Sequence, residues 1–420
     1  MTKTQDNTKT HIFPRPQPKD LWGILGDGQL ARMLALAGYP LGFRSLVLSE
    51  ASHAPAAQVS PQVVRGRGKS KEDIHALLSQ VDFALIESEF VDCALIESTG
   101  LAHKVIPSIQ SIGVLQNKFS QKLLLRELRI PTADFIEPAS VSKADFLKSL
   151  EGIAAPQVLK FSTLGYDGKG VCVLSGVDRK SDYLKAKAFL ERADYLGVSV
   201  YSEDRVSFTH EVAMVSVRST KGEFAHYPLV VTEQQNGICY KVEGPSKLFG
   251  GSDKDEQLAK QYAEKLANHL GIVGVFAIEY FSDKSGSLIV NEIAPRVHNS
   301  GHFTMDASIT SQFANHWLAI SGLELGDTTS LGVYGMINIL GPAEYWTTEF
   351  TPPPRVPSNS NLHWHAKRGC APGRKLGHIN VVAGSKEELH ASMALVLRSI
   401  AEWEAHVRHL IPNSPPKIIL

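Results

Sequence analysis

The chain reads as an α/β protein, with a doubly wound parallel sheet on its N-terminal side and mixed α+β structure beyond it. Three observations predict this. Short apolar runs alternate with helical segments over residues 21–115, the pattern of parallel strands joined by crossover helices. The 420 residues exceed one ordinary core and suit two or three domains. A hydrophobic share of 43% beside 20% charged residues can bury a large interior.

Leu21 to Gly26 is an apolar run closed by glycine, a buried strand. Gln29 to Gly38 carries Leu30, Met33, Leu34 and Ala37 at helical spacing and stops at Gly38 and Pro40. Strands are expected at Ser45 to Leu48, Gln62 to Arg65 and Phe83 to Ile86, with a helix near Lys71 to Gln80. A helix from Lys118 to Leu128 ends at Ile130-Pro131, where proline forbids continuation. Strands at Gln157 to Lys160 and Val171 to Leu174 then flank a glycine-rich loop. Further strands are expected at Glu211 to Arg218, Ala225 to Val231, Val275 to Phe281 and Leu288 to Ile293, with a helix over Asp255 to Leu270. Beyond Thr351-Pro352-Pro353-Pro354 lies a last segment with a closing helix, Lys386 to Glu404. The expected division is 1–20, 21–117, 118–345 (split at 205/206) and 350–420.

Lys plus Arg and Asp plus Glu both count 43, so no whole-chain field draws in nucleic acid or an acidic membrane. An anionic ligand must be held by a local site. Met1 to Asp20 is polar, carries Pro14, Pro16 and Pro18, and lacks the apolar core of a signal peptide. It reads as a disordered leader, and the protein as cytoplasmic, without a membrane span. Cys93, Cys172, Cys239 and Cys370 are far apart and read as free thiols.

Four motifs carry chemistry. Gly26-Asp27-Gly28-Gln29-Leu30-Ala31, between a strand and a helix and with Glu50 ending the second strand, fits a nicotinamide fingerprint. The physics is wider, because glycines let backbone amides meet any anion at a helix N-terminus; a phosphate-bearing small molecule is the preferred reading. Lys160 ends a strand ahead of Gly165-Tyr166-Asp167-Gly168-Lys169-Gly170, a loop whose amides can close over phosphates. A plain hairpin turn is the alternative. Glu279, in the apolar run Val273 to Phe281, and Asn291-Glu292 on the next strand can bridge a hard cation to ATP phosphates, or form a buried salt bridge. The donor-rich run Arg296 to His302 suits an oxyanion, with a His298–His302 metal pair or surface histidines as alternatives. Lys367-Arg368 and Pro372-Gly373-Arg374-Lys375-Leu376-Gly377-His378 put four basic residues around a tight turn, a phosphate clamp or a solvated surface.

These segments, in this order, are similar to the signature stretches of the 5-(carboxyamino)imidazole ribonucleotide synthase family, and the likeness runs from about Trp22 to the final helix. The resemblance implies an ATP-grasp fold: a Rossmann-like preATP-grasp domain, a split nucleotide-binding region and a small C-terminal domain. It implies an ATP-dependent ligase that takes ATP, bicarbonate and 5-aminoimidazole ribonucleotide (AIR) through carboxyphosphate to the carbamate, with magnesium or manganese, in a homodimer. Carried over by position, Lys118 and Lys160 contact the nucleotide, with loop residues Gly165, Asp167, Gly168 and Gly170. Glu203, Asp204, Arg205 and Val206 form the adenine hinge; Glu211, Gln234 and Asn291 complete the ATP site. Glu279 and Glu292 hold the metal. The AIR site takes Gln29, Leu30, Glu89, Tyr166, Lys169, His298, Ser300, Lys367 and Arg374. Arg296, Asn299 and Lys367 serve the chemistry, Arg296 and Asn299 lying between bicarbonate and the AIR phosphate. The chain departs from the family at Val91, Lys118 and Gln234, where acid, arginine and histidine are usual. Another ATP-grasp ligase, of formyltransferase or biotin-carboxylase kind, is the nearest alternative, followed by a non-catalytic ATP-binding regulator.

Overall fold

The computed structural model describes residues 20–136, 148, 156–165, 168–283 and 286–409. Of the expected leader, Met1 to Lys19 lie outside the described residues, as do Tyr166 and Asp167. The first unit runs β1 (Leu21–Leu25), α1 (Gln29–Gly38), β2 (Arg44–Ser49), β3 (Gln62–Arg65), α2 (Lys71–Leu78), β4 (Phe83–Ile86), α3 (Cys93–Ser98), β5 (Val105–Ile106) and α4 (Ile109–Leu115). Its strands form a parallel sheet in the order β3-β2-β1-β4-β5. β1 is thus central, and the C-terminal ends of β1 and β4 open side by side. That edge is where ligands of open parallel sheets bind.

A helix, α5 (Lys118–Glu127), leads to β6 (Phe135–Ile136), β7 (Gln157–Phe161), β8 (Val171–Leu174), α6 (Arg179–Leu196) and β9 (Val200–Asp204). The four strands pair antiparallel in the order β6-β9-β7-β8. The third region holds β10 (His210–Arg218), β11 (Phe224–His226), β12 (Val230–Gln235), β13 (Ile238–Gly244), α7 (Asp253–Leu270), β14 (Gly274–Ser282), β15 (Leu288–Ala294), α8 (Thr304–Ala307) and α9 (Gln312–Ile320). Beyond it come β16 (Val333–Leu340), β17 (Thr347–Phe350), β18 (Ser360–Trp364), β19 (Arg368–Cys370), β20 (Lys375–Ala383) and α10 (Lys386–His409). One antiparallel sheet, β15-β14-β10-β12-β13-β16-β20-β18 with β11 on β10, crosses the proline-rich break. Among the described residues no helix is long and apolar enough to cross a membrane.

One expected strand is corrected. Residues 225–231 are not continuous: β11 pairs with Ser216–Arg218 and β12 with Glu211–Ala213, both on β10. Pro228 has no amide hydrogen to give a ladder. The chain therefore loops out between the two stretches, where Tyr227 and Leu229 bury fully. Tyr227 Oη donates to the Thr310 carbonyl at 2.8 Å and accepts from Asn315 Nδ2 at 2.8 Å.

The first sheet is fused to the large one. Trp22 stacks on Phe83 at 5.0 Å and meets Trp317 of α9 edge-on at 5.3 Å, while Phe43 stacks on Trp317 at 4.9 Å. Trp317 Nε1 donates to the Leu34 carbonyl at 2.7 Å, so its buried polar end is satisfied as well. A single apolar cluster includes Trp22, Leu34 and Phe43 together with Val215, Trp317 and Met336.

Candidate active site

β14 and β15 run side by side with Glu279 directly opposite Glu292, and a register shift follows Glu279. Glu211, on β10 next to β14, adds a third carboxylate. Burial, then the charges of Glu292 and Glu211, push the Glu279 carboxyl up to about 7. Acids crowded this way call for a cation. Lys118 Nζ meets Glu292 Oε2 at 2.7 Å, and His298 Nε2 stands 3.7 Å from Glu279 Oε1. Gln234, on the neighbouring β12, donates to Glu211.

Lys160 leaves β7 to donate to Asn291 Oδ1 at 2.8 Å and to pair with Glu203. Glu203 is 2% exposed and also takes Lys122 Nζ at 2.8 Å. Burial opposes its charge, but the two lysines outweigh that and hold it below the ordinary carboxylate range. The same burial draws Lys122 down to about 8. Of the expected hinge, the Glu203 side chain therefore faces the lysines. The Asp204 and Arg205 amides donate to the Asp134 and Pro156 carbonyls. Val206, half-buried, is the second residue beyond β9. Lys122, four residues after Lys118 on α5, escaped the motif reading; that i, i+4 spacing was its signal.

The glycine loop returns from Phe161 to Gly170, whose carbonyl accepts from the Phe161 amide at 2.9 Å. Gly168, at φ 73°, lies against the β12–β13 turn, where an added Cβ would stand 2.5 Å from the Asn236 carbonyl oxygen. Gly165 packs against Gly170, and Lys169 is exposed. Gly168 is thus seated against the turn that follows Gln234 and Gln235.

On the other side of the carboxylates, Arg296 grips Glu89 with two nitrogens, Nη2 to Oε1 at 3.0 Å and Nε to Oε2. Burial works against the Glu89 charge, but Arg296 overrides it and keeps the acid ionised. Asn299 is committed too: its amide pairs reciprocally with that of Asn338 at 3.0 and 2.7 Å. Asn338, a polar residue in the apolar β16, carries the same sequence signal as Glu279, a polar interruption of an apolar run. His298 Nδ1 meets Ser300 Oγ at 2.9 Å and accepts from the Ser300 amide at 3.3 Å. That leaves its proton on Nε2, toward Glu279. Burial, then the charges of Arg296 and Lys375, hold the ring neutral. His302 Nδ1 is engaged by Gln312, so neither histidine is a surface residue.

At the first loop, Gln29 and Leu30 open α1, but the anion at the helix N-terminus belongs to the protein. Gly28 N–H donates to Glu87 Oε2 at 2.7 Å. The sequence reading of that loop, a seat for a phosphate-bearing small molecule, thus meets a Gly28 amide already taken by a protein carboxylate. Burial raises the Glu87 carboxyl; the Gly28 amide, then the Ala31 amide and the charge of Lys367, act against this more weakly. Arg374 also differs from a free clamp: its Nη1 donates to the Arg368 and Gly369 carbonyls, both at 2.8 Å, and closes the turn. Lys375, next to Arg374 in the basic turn, has its charge near both Glu279 and His298.

Among the described residues no group of three or more His, Cys, Asp or Glu is gathered as a closed metal site. Two facing carboxylates with an amide beside them fit instead a magnesium ion, which keeps waters and shares phosphate oxygens.

Family models match the chain in three consecutive parts. Residues 20–116 match a ribonucleotide synthetase preATP-grasp domain, 123–313 an ATP-grasp domain, and 335–392 a phosphoribosylaminoimidazole carboxylase C-terminal domain. The N5-carboxyaminoimidazole ribonucleotide synthase of Pseudomonas aeruginosa is 36% identical over 377 residues, 89% of this chain and 98% of that protein. The carboxyaminoimidazole ribonucleotide synthase of Aspergillus clavatus complexed with ATP superposes with a TM-score of 0.80 at 30% identity, covering 92% of this chain and 99% of that one. The same organism's enzyme with ADP and 5-aminoimidazole ribonucleotide gives 0.78 at 29%, covering 91% and 99%.

Proposed function

The chain belongs to the N5-carboxyaminoimidazole ribonucleotide synthase family, and from that premise we propose how its residues divide the work. It is an ATP-grasp ligase that carboxylates 5-aminoimidazole ribonucleotide with ATP in purine biosynthesis. What supports the division is one observation: Glu279 and Glu292 face each other with Lys118 on one of them, and the basic turn lies beyond.

Bicarbonate attacks the γ-phosphorus of ATP, the bond to ADP breaks, and carboxyphosphate forms. Carboxyphosphate splits into carbon dioxide and phosphate, and the exocyclic amine of AIR bonds to the carbon dioxide while its proton leaves with the phosphate. Neither partner needs a covalent nucleophile, so the protein's task is charge neutralisation, alignment and exclusion of water. Lys118, Lys160 and the amides of Gly165 to Gly170 take the phosphates. Val206 and the backbone around Glu203, Asp204 and Arg205 take adenine; Glu211 with Gln234 takes the ribose. Glu279 and Glu292, with Asn291 beside them, would hold magnesium (or manganese), which when bound neutralises phosphate charge. Arg296, kept ionised by Glu89, and Asn299, fixed by Asn338, stand between bicarbonate and AIR. Gln29, Leu30, Tyr166, Lys169, His298, Ser300, Lys367 and Arg374 enclose AIR.

The test is phosphate release from ATP with and without AIR, bicarbonate and a chelator. Release should need magnesium and rise sharply only when AIR and bicarbonate are both present. An ATPase indifferent to AIR would sink this division of labour. A homodimer in the cytoplasm completes the reading; sedimentation equilibrium checks the first half and cell fractionation the second.

A further inference from the structure

Glycines 26 and 28 leave room for a side chain of this molecule. A Cβ on Gly26 would stand 2.4 Å from Glu87 Oε2, and one on Gly28 2.1 Å from Glu87 Oε1. Glu87 directly follows β4 and so rises beside the end of β1, where the first loop turns into α1. Helix α1 has neither a side-chain cap at Gly28 nor an acid in its first turn. The Glu87 carboxylate supplies both, accepting from the Gly28 amide at 2.7 Å and from the Ala31 amide. Asp27 puts a second negative charge next to it, held by Ser49 Oγ at 2.5 Å. The opposing charges come from other parts of the chain, Lys367 before the basic turn and Arg296 after β15.

A helix N-terminus favours one anion, and here that place is filled. A phosphate brought to this loop would meet two carboxylates within a low-dielectric cleft, where like charges repel strongly. Hydroxyl and amine donors would instead be welcome. We propose that Glu87 is a specificity-determining residue: by occupying the anion seat of α1 it makes the first loop a receptor for the donor groups of the substrate and confines the substrate's phosphate to the Lys367–Lys375 turn. The orientation of a phosphorylated ribosyl amine is then set by charge order along the cleft. This rests on the reading that AIR lies between the first loop and that turn.

The experiment uses the full chain with Glu87→Ala and Glu87→Asp, and inorganic phosphate as probe. Phosphate affinity is read from the shift of the melting temperature with phosphate concentration, which needs neither AIR nor turnover. Glu87→Ala should bind phosphate at least tenfold more tightly than the native chain, with phosphate becoming a stronger competitor of AIR and the KM for ATP unmoved. Glu87→Asp should stay close to the native behaviour. Unchanged phosphate affinity in Glu87→Ala overturns the proposal, as does a KM for ATP that rises in step with that for AIR. If Glu87→Ala does not fold, Glu87→Gln keeps the shape and removes the charge, and the same two measurements decide. Should the native chain ignore AIR altogether, the functional reading falls while the phosphate titration still decides the role of Glu87.

Discussion

Glu292 is the residue whose chemistry is most exposed to test. Its carboxylate accepts from Lys118 at 2.7 Å and raises the acidity problem of Glu279 across the strand pair. Glu292→Gln removes the charge that Lys118 uses and that, in the proposed division of work, a divalent ion would use, so turnover should fall by about a hundredfold or more. Steady-state rates beside an unchanged circular dichroism spectrum check it; half-normal activity would make Glu292 a structural acid. Arg374 makes a softer prediction. Because Nη1 closes the turn through the Arg368 and Gly369 carbonyls, Arg374→Ala should weaken AIR by about ten- to a hundredfold, with ATP hardly touched. Lysine should recover only part, having no planar fork. Michaelis constants for the two substrates decide, and a parallel rise would assign the turn to folding. At this level the site was legible wherever a charged residue interrupted an apolar run, as Glu279 does. It was not legible where one residue answers another far away, as Glu87 answers Gly28 and Asn338 answers Asn299.

Helix α5 shows how an element carries a site. Gln121 lies between the two lysines and is 3% exposed. Its amide donates to the Leu115 and Ile293 carbonyls at 2.6 and 2.9 Å and accepts from the Ile293 amide at 2.9 Å. The helix is thus bolted to the residue after Glu292, and Lys118 arrives at the carboxylate by that docking. Gln121→Leu leaves both backbone groups of Ile293 unsatisfied, at a cost of roughly 1–3 kcal/mol each. The melting temperature should drop and the KM for ATP should rise together; a lower melting point with unchanged KM would show that Lys118 finds Glu292 unaided. The docking is invisible in sequence, since a glutamine on a helix reads as solvated. The same limit hid α6, which buries only Asp182, Ala186, Phe189, Leu190 and Ala193 along 18 residues. Its caps, Asp178 and a left-handed Gly197, were the better signal. Proline read correctly at the end of α5 but was overlooked at 228, where it splits the expected strand.

Across the molecule, burial sets how acid is tolerated. His316 of α9 accepts the Val275 amide at 3.0 Å with Nδ1, and burial draws its ring down to about 4. The folded state therefore prefers it neutral. Its contribution is complete above the ordinary histidine value of 6.5 and is lost as pH falls toward about 4, a change of roughly 3 kcal/mol. His302, His365 and His378 are held neutral by burial in the same direction. Melting temperature followed from pH 7 to 5 should fall less in His316→Gln than in the native chain; parallel curves would show that the ring is not the titrating group. The alternation of strands and helices in residues 21–115 was legible because a parallel sheet buries whole runs. The sheet that crosses residue 350 was not, because long-range antiparallel pairing leaves no local mark.

The contact of Trp317 with Trp22, Phe43 and Leu34 bears on how the molecule can be taken apart. Domains that touch through a polar seam can be recombined like parts, whereas here one apolar interior belongs to both the parallel sheet and the large antiparallel one. Residues 20–116 expressed alone would present Trp22, Phe43 and the inner face of α1 to water and should aggregate. The intact chain should melt these two sheets in one calorimetric transition. Exchange of the first sheet between relatives should then fail unless the facing residues of α9 travel with it, so that inheritance acts on this pair of sheets as a single piece.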